Sequence, residues 1–175
     1  FITKALRDFG YLDFGEPFKK LIHQGTITKD GAKMSKSKRN TVSPDEFIEQ
    51  YGSDTFRAYL MFMGPFEDGG DWNDKGITGI SRFLAKVVKI CTKLDENSTP
   101  DTSIIKLVNK TIKTVGQDLD QLKFNTAISK LMELSNTLTK AEKLNKFTIK
   151  SLILLLAPIA PHLCEELWSK YFDDG

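Results

Sequence analysis

Lys33, Ser35, Lys36 and Ser37, with Met34 between them, put two ammonium groups and two hydroxyls within five residues. On a loop with free backbone N–H groups, these are the donors that a phosphate-rich anion accepts. Lysine suits the task as a mobile point charge on a long stem. A loop that closes over a polyphosphate and reopens can also let its products leave. The chemistry available is electrostatic, with donors aimed at charge that develops in a transition state. From Lys29 to Arg39 the cations are Lys29, Lys33, Lys36, Lys38 and Arg39, against Asp30 alone. By composition this is also a solvated basic run. The alternation of hydroxyls with lysines, and the elements on either side, favour the phosphate reading. The P-loop pattern G-x-x-x-x-G-K-[ST] is absent.

Two elements must hold this segment. Upstream, Thr26-Ile27-Thr28 has strand character and Asp30-Gly31 is a tight-turn signal. Downstream, Ser43-Pro44-Asp45-Glu46 predicts a helix start, with Ser43 as cap, Pro44 at the first position and Glu46 closing a capping box. That helix is expected to bury Phe47 and Ile48 and to end near Gly52. Earlier, Phe1, Ala5, Leu6 and Phe9 share a helical face that Gly10 can end. Pro17 is expected to open a second short helix carrying Phe18, Leu21 and Ile22, closed by Gly25. Ser53 is expected to cap a helix bearing Phe56, Tyr59, Leu60 and Met63, stopped by Gly64-Pro65. Glu67 to Trp72 reads as an acidic, glycine-rich loop, either anchored by a buried Trp72 or touching substrate.

From residue 81 onward the pattern is helical. Phe83, Leu84, Val87, Val88, Cys91 and Leu94 keep helical spacing until the polar break Asp95–Thr102, which contains Pro100. Further helices carry Ile104 to Val115, Ala127 to Leu138, and Phe147 with Leu152 to Leu156. Pro158 and Pro161 then turn the chain into a last helix with Leu163, Leu167 and Trp168, the tryptophan expected in the core. Amphipathic helices joined by short loops predict an antiparallel bundle. Lys140, Lys143, Lys146 and Lys150 cluster around the third and fourth of these helices, as either a solvated face or a set of phosphate contacts. His23 and His162 read as structural histidines.

Composition bounds the rest. The 175 residues are 40% hydrophobic and 27% charged, with a net charge of +2, which predicts a soluble globular chain without a general coat of positive charge. Cys91 and Cys164 stand far apart and, with two histidines, build no zinc pattern, so no metal site is expected. They read as buried thiols of a reducing compartment, the cytoplasm. The longest apolar run, Leu152–Ala160, is about half of the ~20 residues a spanning helix needs. No signal peptide or membrane span is expected, and the start at Phe1 predicts a piece of something larger.

Lys33-Met34-Ser35-Lys36-Ser37 matches the KMSKS signature of class I aminoacyl-tRNA synthetases letter for letter, and the chain resembles that family over nearly its whole length. Lys38-Arg39-Asn40, Ser43-Pro44 and Tyr51-Gly52-Ser53-Asp54-Thr55-Phe56-Arg57 are similar to the stretch C-terminal to the signature in that family. Met63-Gly64-Pro65-Phe66-Glu67-Asp68, Asp71-Trp72-Asn73, Gly79 and Arg82-Phe83-Leu84 resemble the leucyl branch. Leu156-Ala157-Pro158-Ile159-Ala160-Pro161-His162 and Glu165-Glu166-Leu167-Trp168 resemble the helical anticodon-binding domain of the leucyl, isoleucyl and valyl enzymes. Arg39 departs from the pattern, which often has glycine there.

The resemblance implies a mainly α chain: 1–52 as the end of a Rossmann-type catalytic domain with a short β element, 53–80 as a connecting module, and 81–175 as an antiparallel anticodon-binding bundle. It implies ATP-dependent activation of leucine to leucyl-adenylate and transfer to tRNA(Leu), with Mg2+ accompanying ATP. Lys36 and Lys33 would be the catalytic cations. Lys33, Met34, Ser35, Lys36 and Ser37 would form the ATP-binding loop, with Met34 packing it, and Lys140, Lys143, Lys146 and Lys150 would be the candidate tRNA contacts. Isoleucyl, valyl or methionyl specificity, or a non-catalytic tRNA-binding module, are the competing readings. No HIGH-type motif is present and the leucine pocket is not among these residues, so this stretch alone is not expected to aminoacylate.

Overall fold

The Asp30-Gly31 pair sets the first defined geometry: both residues have positive φ, 54° and 70°, the combination a two-residue hairpin turn requires. It joins β1 (Thr26–Lys29) to β2 (Ala32–Lys33), antiparallel, with Thr28 opposite Lys33 and Lys29 opposite Ala32. The computed structural model describes every residue except 100 and 173–175, so Pro100, expected in the polar break, lies outside the described residues. Among those described, the remaining elements are α1 (Ile2–Asp8), α2 (Pro44–Tyr51), α3 (Ser53–Phe62), β3 (Gly69–Trp72), α4 (Ile77–Cys91), α5 (Thr102–Asp120), α6 (Phe124–Leu138), α7 (Lys146–Leu156) and α8 (Pro161–Phe172). The chain is mainly α with one small sheet of order β2-β1-β3.

β3 corrects the expectation of a loop at Glu67–Trp72. It runs parallel to β1 from Thr26↔Gly69 to Lys29↔Trp72. Its strand character comes from that pairing, since Gly-Gly-Asp-Trp has little intrinsic β preference. Gly69 has φ 82°, and a Cβ on it would stand 2.3 Å from the Thr26 carbonyl oxygen. Only glycine lets the two backbones meet here.

Three other local expectations change. No helix forms at Pro17; Phe18 is 83% and Leu21 85% exposed, and a short amphipathic helix without a surface to bury its apolar face does not hold. Ser43 takes the N-cap position of α2, but its hydroxyl donates to Asp45 Oδ2 at 3.4 Å and makes no capping bond to the backbone. Pro44 with Asp45 and Glu46 in the first turn start the helix instead. Phe47 is half-buried, while Ile48 is exposed. Gly52, at φ 84°, occupies the N-cap of α3 where Ser53 was expected.

A single apolar core runs from Ala58, Tyr59 and Trp72 into the bundle through Val87, Val108, Ile128, Leu131, Leu152 and Leu156. Asp101 caps α5 by accepting from the N–H groups of Ser103 and Ile104, and Asn145 caps α7 by accepting from Thr148 N–H. A bridge between Leu94 and Leu144 ties the end of α4 to the start of α7. Trp168, expected in the core, is half-buried on α8 and packs against the core beside Phe172. Both cysteines are buried free thiols.

Candidate functional site

The basic segment leaves β2 at Lys33 and turns back on itself before α2. Asn40 makes the turn. Its Oδ1 accepts from Ser35 N–H at 2.9 Å and its Nδ2 donates to the Lys33 carbonyl at 3.3 Å. Inside the turn, the Ser35 and Ser37 hydroxyls lie 3.2 Å apart, and Lys38 N–H donates to Ser35 Oγ at 3.3 Å. Arg39 N–H closes on the Lys36 carbonyl at 3.2 Å. The serines therefore serve the shape of the loop. Arg39 takes φ 51°, a left-handed conformation that costs an L residue about 1–2 kcal/mol. That geometry accounts for the glycine expected there.

Met34 is half-buried against the core, whereas Lys33, Lys36, Ser37, Lys38 and Arg39 are exposed. Among the described residues, none of Lys33, Lys36, Lys38 and Arg39 forms an ion pair. Lys29 differs: it lies in β1, 3.8 Å from Asp74 Oδ2. Lys36 also edges a cleft of about 440 Å3 that Lys29, Glu46 and Asp74 line. With two cations against two acids, that cleft is no ready receptacle for a polyanion. The groups open to an anion are the exposed cations of the turn.

β3 braces both ends of the loop. On the upstream side, Asp71 Oδ1 accepts from Thr28 Oγ1 at 2.6 Å and from Gly31 N–H at 2.9 Å, locking the hairpin. These two bonds hold the Asp71 carboxyl below the ordinary carboxylate range, the Thr28 bond having the larger effect. On the downstream side, buried Trp72 meets Phe47 of α2 edge-on at 4.8 Å and Tyr59 of α3 at 5.1 Å, contacts that stabilise beyond area alone. Its indole N–H donates to Asp74 Oδ1 at 2.6 Å. Tyr59 in turn donates to the Asn73 carbonyl at 2.8 Å, and burial raises its phenol above the usual value.

A second joint connects α3 to the far end of the chain. Asp54 Oδ2 accepts from Leu163 N–H at 2.7 Å, and Oδ1 lies 2.8 Å from His162 Nδ1. Arg57 donates to the Pro158 carbonyl at 3.2 Å. His162 thus has the structural partner expected of it.

The four bundle lysines are dispersed in their engagements. Lys143 pairs with Asp95 at 2.7 Å and Lys146 with Glu96 at 3.1 Å. The Lys143–Asp95 bond raises the lysine and lowers the carboxyl. Lys150 sits over the Trp168 and Phe172 rings at 4.9 and 5.0 Å. Lys140 is exposed and forms no ion pair among the described residues. The bracing roles of Asn40, Asp71 and Thr28 have little signature in the sequence; an Asx residue after a Ser-rich turn is the one local signal that marks Asn40.

Comparison with known proteins fits this geometry. The family model for tRNA synthetases class I (I, L, M and V) matches residues 10–73, which include the whole loop and its braces. Over that stretch the chain is similar to the class I tRNA synthetases. The family model for the anticodon-binding domain of tRNA ligase matches residues 101–175. A Leucine--tRNA ligase of Dehalococcoides mccartyi is 46% identical over 183 residues, covering 97% of this chain and 22% of that protein. One from Clostridium beijerinckii is 49% identical over 188 residues, covering 97% and 23%. A ternary complex of the Agrobacterium radiobacter agnB2 LeuRS with tRNA and LeuAMS matches at TM-score 0.86 and 30% identity, covering 99% of this chain and 25% of that one. The chain spans about a quarter of the length of the relatives it matches.

Proposed function

We propose that this chain is the loop-bearing edge of the catalytic domain, a connecting module and the tRNA-binding bundle of a leucine–tRNA ligase, divided at 1–52, 53–80 and 81–175. The observation that carries the reading is the exposed set of Lys33, Lys36, Lys38 and Arg39, unpaired among the described residues, on a turn braced through Asn40, Asp71 and Trp72. Leucine's carboxylate attacks the α-phosphate of ATP, the bond to the β-phosphate breaks, and leucyl-adenylate and pyrophosphate result. The aminoacyl group then passes to the terminal ribose of tRNA(Leu), releasing AMP. The Lys36 ammonium would stabilise negative charge gathering on the departing pyrophosphate, with Lys33 assisting. Ser35 and Ser37 would keep the turn in shape, and Met34 would anchor it. Mg2+ would accompany ATP, held largely by its phosphates. The leucine pocket would lie in the rest of a protein of the relatives' length.

On the RNA side, of Lys140, Lys143, Lys146 and Lys150 only Lys140 has neither a carboxylate nor a ring partner among the described residues, and Lys143 and Lys146 would first exchange a carboxylate for a phosphate. Among the described residues no helix is long and apolar enough to cross a membrane, and we place the protein in the cytoplasm. The test is pyrophosphate exchange by the full-length protein. Losing one donor to developing charge costs about 3–4 kcal/mol, so Lys36→Ala should slow exchange by roughly two to three orders of magnitude, with leucine binding nearly unchanged. An exchange rate equal to that of the unmodified enzyme would remove Lys36 from the mechanism.

A further inference from the structure

Lys106, Lys110 and Lys113 of α5 are spaced by four and three residues, which at 100° per residue puts them within about 60° of arc on one helical face. All three are exposed, and among the described residues none forms an ion pair. Val108, Thr111 and Val115, on the opposite side of α5, are its buried residues, so the lysines face away from the bundle. From Thr102 to Gln117 this helix carries no acid. The stripe spans roughly 10 Å along the axis at 1.5 Å per residue, the scale of neighbouring phosphates on one strand.

At its N-terminal end the stripe meets a groove of about 580 Å3 between the starts of α5 and α7, lined by Lys106, Ile105, Ser98 and Phe147 among others. The Phe147 side chain is 46% exposed. Glu96, the acid of the groove, is matched by Lys146 at 3.1 Å, so the floor repels no anion. A cationic track that ends at an open aromatic face fits a polynucleotide strand, whose phosphates take the cations and whose unpaired base takes the ring.

We infer that α5 and the Phe147 groove form the RNA-binding face of the bundle, with Lys106, Lys110 and Lys113 on consecutive backbone phosphates and Phe147 under a base. The inference rests on the proposed tRNA-binding role. It assigns the contact to α5, where the cations are uncommitted, and away from Lys143, Lys146 and Lys150, which already have protein partners.

Filter binding of a tRNA(Leu) transcript between 50 and 200 mM salt tests it, with the unmodified protein, Lys106→Gln/Lys110→Gln/Lys113→Gln, Phe147→Leu, and Lys140→Gln/Lys143→Gln/Lys150→Gln side by side. Each phosphate contact contributes about 0.9 to the slope of log K against log salt. The α5 triple variant should therefore lose about 2.7 from the slope, flattening the fourfold salt series by roughly 40-fold. Phe147→Leu should weaken binding by roughly fivefold to a hundredfold with the slope intact. A fold defect would not separate slope from affinity in this way, and every one of these side chains but the half-buried Lys150 is exposed. An unchanged slope in the α5 variant, or a slope lost only in the Lys140/Lys143/Lys150 variant, overturns the assignment and leaves the tRNA-binding role standing. Unchanged affinity in Phe147→Leu overturns the base contact. A flat salt dependence in the unmodified protein would overturn the tRNA-binding role and this face with it.

Discussion

Replacing Asp54 by alanine isolates the joint between the loop-bearing half of the chain and the end of the bundle. α8 begins at Pro161 after Ala160, whose side chain offers no acceptor to the first free N–H groups of the helix. Asp54, from α3, supplies one across 109 positions of sequence by accepting from Leu163 N–H at 2.7 Å. Loss of a helix cap costs about 1 kcal/mol, and loss of a carboxylate at a helix N-terminus a further ~0.3–1 kcal/mol. The His162 contact adds little, because that imidazole is 78% exposed and screened by water. The sum is about 2 kcal/mol for Asp54→Ala. With a urea m-value of about 2 kcal/mol/M, the unfolding midpoint should fall by roughly 1 M. Asp54→Asn keeps an oxygen for Leu163 and should lose about half as much. A midpoint shift below about 0.25 M for the alanine variant, or equal damage from alanine and asparagine, would refute the claim that Asp54 caps α8.

The other predictions concern the brace and the core. Gly69→Ala places a methyl 2.3 Å from the Thr26 carbonyl at a positive φ, and should destabilise the chain by at least about 2 kcal/mol in the same urea experiment. Asp71 is depressed in the folded state, so its stabilisation is complete above the ordinary carboxylate pKa and disappears as pH falls through the lower folded value. An NMR pH titration should show the Gly31 amide moving with Asp71, and Asp71→Asn should abolish that acid transition. Burial pushes the Cys91 thiol up to about 11 and Cys164 to about 12. A thiol reagent at pH 8 should therefore leave both untouched in the folded protein and titrate both in urea.

What could be read from sequence was what neighbours in sequence decide. Asp30-Gly31 dictates its turn because two adjacent positive φ angles are cheap for that pair. Pro44 with two acids behind it starts α2 even though the Ser43 capping bond is not made. The helices of the bundle announce themselves because Ile104, Val108 and Val115, or Leu131, Leu134 and Leu138, recur with the helical period. β3 gave no such signal, since its four residues are a strand only because β1 lies beside them. The Pro17 segment failed in the opposite sense, with good spacing and no surface to cover Phe18 and Leu21. In the candidate site, the cations were legible from their order and the groups holding them were not. Asp71 and Trp72 reach the loop from outside it, and the Asp54 contact with His162 joins positions 108 apart.

The strand that steadies the loop is also made after it. Thr28 and Asp71 are 43 positions apart, and at a synthesis rate of about 5–20 residues per second a ribosome needs roughly 2–9 s to cover that gap. Throughout that interval the newly made Lys33–Ser37 segment has neither Asp71 to lock its hairpin nor Trp72 to seat Phe47. In the nascent chain it is the solvated basic run that its composition describes. The defined turn is acquired late, once residue 72 has emerged and closed a parallel pairing over the segment already made.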